Sequence, residues 1–216
     1  MDFSYLFEPY DTLISQADMA FNRMKTEFPE CIRCGPHCSD CCHAVFGLFL
    51  VEAAFLKHDF DRLDGAEKEA ALRRSVEADR ETSALERTLQ EFEDDPEMRA
   101  YTMARARIRC PLLNDQDECI LYDYRPVTCR VYGIPTMVRG TPRVCGKSGF
   151  KNGVEYPIFN LDGVQRELYR LSGELVTRAG GEPSDKASLL FSVSKVIQTP
   201  AETLINETPE VPSTQR

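Results

Sequence analysis

Four thiols, Cys34, Cys38, Cys41 and Cys42, stand within nine residues of one another in the run Arg33-Cys-Gly-Pro-His-Cys-Ser-Asp-Cys-Cys-His43. Thiolates this close repel one another and oxidise readily unless a positive centre holds them, and a bound metal is the simplest such centre. Cys110, Cys119 and Cys129 form a second group with Cys145 a little beyond it, so the nine cysteines are two clusters plus Cys31. Core cysteines would be scattered along helices at apolar positions, as Leu and Val are, and this pattern argues against that.

A disulfide framework is the stronger rival. Disulfides belong to oxidising compartments and to short chains that lack a core, whereas 216 residues suffice for one domain with its own core. The start, Met1-Asp-Phe-Ser-Tyr-Leu-Phe-Glu-Pro-Tyr10, has neither the basic beginning nor the apolar run and small-residue site of an export signal. No stretch approaches the roughly 20 apolar residues of a membrane span, because Glu52 interrupts the nearest, Ala44 to Leu56. The expectation is a cytoplasmic protein without a membrane segment, in which clustered cysteines are metal ligands or redox groups. A net charge of −9 argues against nucleic acid as partner, since phosphates demand a surplus of Lys and Arg. The acid excess lies between Asp61 and Glu97 and reads as a solvated helical face.

The elements that must position these thiols are mostly helical. Asp11 reads as an N-cap, with Leu13, Ile14, Ala17, Phe21, Met24 and Phe28 recurring at helical spacing until Pro29. The Gly35-Pro36 pair forces an irregular loop through the first cluster, and a helix resumes near Leu50 with Glu52, Ala53, Leu56 and His58. Residues 66 to 93, rich in Ala, Glu, Arg and Leu, predict a long helix with stripes at Leu72 and Val76 and at Leu85, Leu89 and Phe92. Pro96 starts another to about Arg107. Residues 111 to 122, apolar on either side of Asn114-Asp-Gln-Asp-Glu118, predict a short β-hairpin or knuckle, and Val127, Val131 and Tyr132 one or two helical turns. Residues 133 to 152 read as a loop around Cys145. Asp162 reads as the cap of a helix that Gly180 and Gly181 end, and Ser184 as the opener of a last helix through Ile197. The whole predicts a single mainly α domain, 1–198, with a cysteine-rich core at 31–146 and a disordered tail at 199–216.

The first cluster together with Arg109-Cys-Pro-Leu-Leu and Glu118-Cys-Ile-Leu-Tyr-Asp-Tyr-Arg-Pro-Val-Thr-Cys-Arg130 resembles the CxxCxxCC family, the YkgJ-type cysteine-cluster proteins described as zinc- or iron-chelating. The resemblance covers about residues 31 to 145. It carries over onto Cys34, Cys38, Cys41 and Cys42, and onto Cys110, Pro111, Cys119, Tyr122, Arg125, Pro126, Cys129 and Arg130; Cys145 joins them as a ligand candidate by proximity. The gap of three residues between Cys34 and Cys38, where many members have two, is a departure. Bacterial flagellin lysine methylases carry a similar cysteine pattern and an iron–sulfur cluster, which makes a cluster-dependent enzyme of methyl or electron transfer one alternative, and a metal-delivery or redox-sensing protein another.

Structural zinc and most iron–sulfur clusters both take four ligands. The second group is spaced by eight, nine and fifteen residues with no paired knuckle, and adjacent Cys41 and Cys42 point apart, so iron–sulfur is favoured over zinc. Arg33, Arg109, Arg125 and Arg130 sit where they could offset the negative charge of a thiolate centre, Arg125 and Arg130 with the support of the motif. His37 and His43 are surplus to the sulfurs. The spacing of Cys34, Cys38 and Cys41 equals that of radical S-adenosylmethionine enzymes, but this chain is too short and too helical for their barrel. No phosphate loop, dinucleotide fingerprint, nucleophile elbow or His-Glu-x-x-His helix is present.

Overall fold

The computed structural model describes residues 7–35, 37–181 and 187–206. Among them the fold is mainly helical, with one two-stranded antiparallel hairpin.

Helix α1, Phe7–Glu27, buries Tyr10, Leu13, Ala17 and Met24, one stripe at helical spacing, and lies against α5, Val127–Val131, the short helix that carries Cys129 and Arg130. Asp11 is exposed inside this helix and not its cap, because the helix starts a turn earlier than the cap signal suggests. Helix α2, Leu50–Phe60, is buried on nearly every side through Leu50, Val51, Ala53, Ala54, Leu56 and Phe60, and it is the hub of the domain. Helix α6, Leu161–Arg178, packs on it with Leu161, Val164, Leu168, Leu171 and Leu175 inward. Its cap is Asn160, whose side chain accepts the Gly163 N–H at 3.0 Å; the expected cap, Asp162, instead accepts the Arg139 and Gly140 N–H groups at 2.7 and 2.8 Å. Gly180, at φ +83°, follows the helix in the left-handed conformation that glycine adopts without cost.

Helix α3, Gly65–Glu91, is capped by Asp64, which accepts the Glu67 N–H at 2.9 Å, and α4, Pro96–Arg105, by Asp95, which accepts the Met98 N–H at 3.0 Å. The acidic stretch is a solvated helical face, since α3 buries only Ala71, Ser75 and Ala78 and α4 buries nothing. The expected stripe fails at Val76, which is exposed: small residues form the inward face, letting α7, Val193–Gln198, come close enough for the Ser194 hydroxyl to donate to the Ser75 carbonyl at 3.0 Å.

Two expectations change. Strands β1, Thr136–Val138, and β2, Thr141–Arg143, form the hairpin inside the segment read as loop, with Thr136 opposite Arg143 and Val138 opposite Thr141. The sequence offers little sign of it because the strands are three residues each and the tip is held from outside by Asp162. The expected opener Ser184 lies outside the described residues. Order also continues past residue 198, since α8, Ala201–Asn206, buries Leu204 and Ile205 against α2 and α6. Two apolar residues were too few to outweigh the prolines in a reading by composition.

Candidate metal centre

Backbone pairing brings the two cysteine motifs together. Residues 42–44 run beside 107–110: the Cys110 N–H donates to the Cys42 carbonyl at 2.7 Å, the Ile108 N–H to the His43 carbonyl at 3.1 Å, and Ala44 pairs with Arg107 in an antiparallel bridge. The Gly149 N–H donates to the Cys31 carbonyl at 2.8 Å, which returns the segment after Cys145 to the start of the first motif. Leu48 exchanges backbone hydrogen bonds with Phe191 at 2.8 and 2.9 Å, fixing the exit of the first motif.

The second motif folds as the expected knuckle. Leu113 pairs with Cys119, and the Asn114 side chain accepts the Gln116 and Glu118 N–H groups at 3.0 and 2.8 Å, closing the turn. Arg109 donates to the Leu113 and Asn114 carbonyls at 3.4 and 2.6 Å, so this arginine braces the knuckle. A shared local geometry appears at three sulfurs. The Leu112, Leu121 and Lys147 N–H groups, each two residues downstream, point at the sulfurs of Cys110, Cys119 and Cys145, the last at 3.4 Å. Such donors stabilise sulfur in its charged form.

Eight of the nine cysteines line two adjoining cavities. A small one, about 90 Å³, is bounded by Cys41, Cys42, Cys110, Cys119, Cys129 and Arg125 and roofed by Leu56, Ile108, Leu112 and Leu121. A larger one, about 700 Å³, is bounded by Cys34, Cys38 and Cys145 with Asp40, His37, Tyr132 and Arg130, and shares Cys41, Cys42, Cys119, Cys129 and Arg125 with the first. All eight are half-buried; the ninth, Cys31, is buried, lines neither cavity and contacts Glu30 at 3.6 Å. Among the described residues no three His, Cys, Asp or Glu side chains converge as a finished single-ion site.

The electrostatics are those of crowded thiols. Burial, then the charges of Cys38, Cys145 and Cys41, pushes Cys34 up to about 12, and burial with Cys119 and Cys41 pushes Cys110 up to about 12. Burial and the same neighbours raise Cys129. Hydrogen bonding of the Cys42 thiol with Cys119 and with Cys41 raises Cys42, draws Cys41 down to about 7 with help from Arg125, and lowers Cys119. Such a set favours a cation that would replace those protons.

Arg125 sits at the sulfurs, its guanidinium 3.6 Å over the ring of Tyr122, which is mostly exposed. Arg130 is spent on structure: it donates to the Arg125 carbonyl at 2.7 Å, the Asp18 carboxylate at 2.8 Å and the Asp123 carbonyl, tying α1 to the turn before α5. Arg33 is exposed; the rings of His37 and His43 pair with the carbonyls of Gln116 at 3.2 Å and Ser39 at 3.0 Å.

Two carboxylates escaped the sequence reading. Asp40 is buried, with Arg107 at 2.7 Å, Lys147 at 3.1 Å and the Cys145 thiol at 3.2 Å; burial opposes its charge, but Cys145, Lys147 and Arg107 outweigh that and hold it below the ordinary range. Its place between Ser39 and Cys41 was the available signal. Glu52, 3 % exposed, accepts the Phe49 N–H at 3.2 Å and the Val127 N–H at 3.1 Å, joining the first turns of α2 and α5.

A family model whose description reads "CxxCxxCC: putative zinc- or iron-chelating domain" matches residues 30–146. No curated protein and no solved structure matches the chain. Among the described residues no helix is long and apolar enough to cross a membrane.

Proposed function

Because the chain belongs to the CxxCxxCC family of zinc- or iron-chelating domains, we propose that it is a cytoplasmic metal-binding protein whose ligands are Cys34, Cys38, Cys41, Cys42, Cys110, Cys119, Cys129 and Cys145, with an iron–sulfur cluster preferred to zinc. The observation that carries this reading is the gathering of these eight thiols, from segments separated by 67 intervening residues, around two adjoining cavities. The donor set suits the group: soft sulfur ligands, backbone N–H groups aimed at three of them, and one arginine at the sulfurs. An excess of thiols over one tetrahedral site and the vicinal Cys41-Cys42 pair favour a cluster over a single zinc.

When bound, a cluster supplies one-electron chemistry or a site for a ligand, whereas zinc supplies cross-linking of the loops. Arg125 offsets the charge of the thiolates, and Arg130 acts on the site by fixing the backbone between Asp123 and Cys129. Leu56, Ile108, Leu112 and Leu121 cover the small cavity with apolar surface. Protein purified without oxygen should be brown, contain acid-labile sulfide and bleach in air. A colourless anaerobic preparation with stoichiometric zinc and no sulfide refutes the choice of metal; a preparation that takes up neither iron nor zinc refutes metal binding.

The larger cavity favours a second reading, a cluster-dependent enzyme of methyl or electron transfer, since it could admit a substrate to the sulfur face. Protection of Cys34 and Cys38 from alkylation by S-adenosylmethionine, in metal-loaded protein, tests the methyl-transfer form of it.

A further inference from the structure

We propose that the thiols form two metal centres: an inner one of Cys42, Cys110, Cys119 and Cys129, and an outer one of Cys34, Cys38 and Cys145 whose remaining coordination position would open on the large cavity. Cys41 stands on the border. This rests on the reading that the cysteines hold metal, and adds how they divide.

Three independent observations separate the sets. The first is position: Cys110 lines only the small cavity, Cys34, Cys38 and Cys145 line only the large one, and Cys42, Cys119 and Cys129 stand between the two. The second is contact, for Cys42 touches Cys119 and Cys41, while Cys34 touches Cys38. The third is surroundings. Leu56, Ile108 and Leu112 line the small cavity beside the inner sulfurs, with Arg125 as their cation, whereas Cys145 of the outer set meets Asp40, which is balanced by Arg107 and Lys147. Four thiolates around the small cavity would suffice for a tetrahedral metal or a cluster, the ligand number of a structural or electron-carrying centre. Three thiolates beside open space leave one position for water or a small external donor, as an exchangeable or reactive centre requires. Asp40, held by its two cations, keeps Cys145 in reach by accepting the hydrogen bond of its thiol, whose proton metal binding would release.

Gly133 offers a selective handle, because a Cβ there would stand 2.2 Å from the Cys34 sulfur. The test is titration of reduced, metal-free protein with Co²⁺ alone under argon, following sulfur-to-cobalt charge-transfer absorption. Wild type should take up two equivalents in two phases. The triple variant Cys34→Ser/Cys38→Ser/Cys145→Ser and the single variant Gly133→Ala should each lose one phase and keep the other. Imidazole should perturb the absorption of the phase they lose and leave the other unchanged. Uptake of a single equivalent by wild type, or loss of both phases in the outer triple variant while its circular dichroism stays native, overturns the division. A wild type that binds no cobalt, iron or zinc refutes metal binding itself, a separate failure. The complementary variant Cys110→Ser/Cys119→Ser/Cys129→Ser should retain the outer phase, but the outer variant alone decides the matter should the inner one fail to fold.

Discussion

Replacing Glu52 should damage the domain more than any other change that leaves the sulfurs in place. Its two carboxylate oxygens each accept one buried N–H, from Phe49 at the start of α2 and from Val127 at the start of α5, and no water reaches them. Glu52→Ala orphans both donors, and at about 1–3 kcal/mol for each unsatisfied buried group the loss is about 2–6 kcal/mol. Glu52→Gln keeps one acceptor but turns an amide donor towards the other N–H, which puts its cost at about 1–3 kcal/mol in neutral solution. The pH dependence gives a second, independent signature. Burial pushes the Glu52 carboxyl up from 4.5 to about 7, against the two N–H groups that favour its charge. A group raised in the folded state contributes stability that is complete below its unfolded value and is lost as pH rises through its folded value. Between pH 4.5 and about 7 the wild type therefore forfeits about 3 kcal/mol, a loss that the glutamine variant, which cannot titrate, does not share. Urea unfolding followed by circular dichroism at pH 5, 6, 7 and 8, on wild type and Glu52→Gln in parallel, reads the difference and cancels any pH dependence they share. That difference should shrink as pH rises. A gap that stays flat or widens, or a Glu52→Ala variant within about 1 kcal/mol of wild type, refutes the reasoning.

Cys41→Ser should lose metal while Cys31→Ser retains it, because Cys31 lines neither cavity; equal losses by elemental analysis would contradict the ligand assignment. Metal affinity should fall as pH falls, by about tenfold per unit for each proton released from the raised thiols of Cys34, Cys42, Cys110 and Cys129, and a pH-independent affinity would show that those thiols are not ligands. In metal-free protein Cys41, drawn down to about 7, should be alkylated by iodoacetamide ahead of Cys34, pushed up to about 12, as read by peptide mass mapping; the reverse order would refute the Cys42-to-Cys41 hydrogen bond. Removing metal should loosen residues 31–45 and 109–146 before the helices, and hydrogen exchange that is unchanged there would deny metal a structural role.

What the sequence made legible was whatever is written in periodicity or in residue identity alone. Helix α6 announces itself through Val164, Leu168, Leu171 and Leu175, and the two cysteine groups through spacing. The failures share a cause, which is that one residue type can satisfy several partners and only the tertiary structure selects among them. Asp162 and Asn160 are both good caps two residues apart; Asn160 holds the helix because Asp162 is drawn to the hairpin tip. Asp40 resembles any loop aspartate until Arg107 and Lys147, each from a distant segment, close on it. Leu204 and Ile205 gain their burial from α2 and α6, elements that no window of local sequence contains.

The pairing of Leu48 with Phe191 bears on when the sulfur site can be assembled in a cell. Every cysteine has been translated by residue 145, yet the strand partner that fixes the exit of the first motif arrives nearly fifty residues later. With the ribosomal tunnel concealing the newest residues, a nascent chain displays its thiols well before it can order them. During that interval they are open to oxidation and to any cation at hand. Closure of the site therefore waits for Phe191, and the segment that carries it serves as the latch on the cysteine loops.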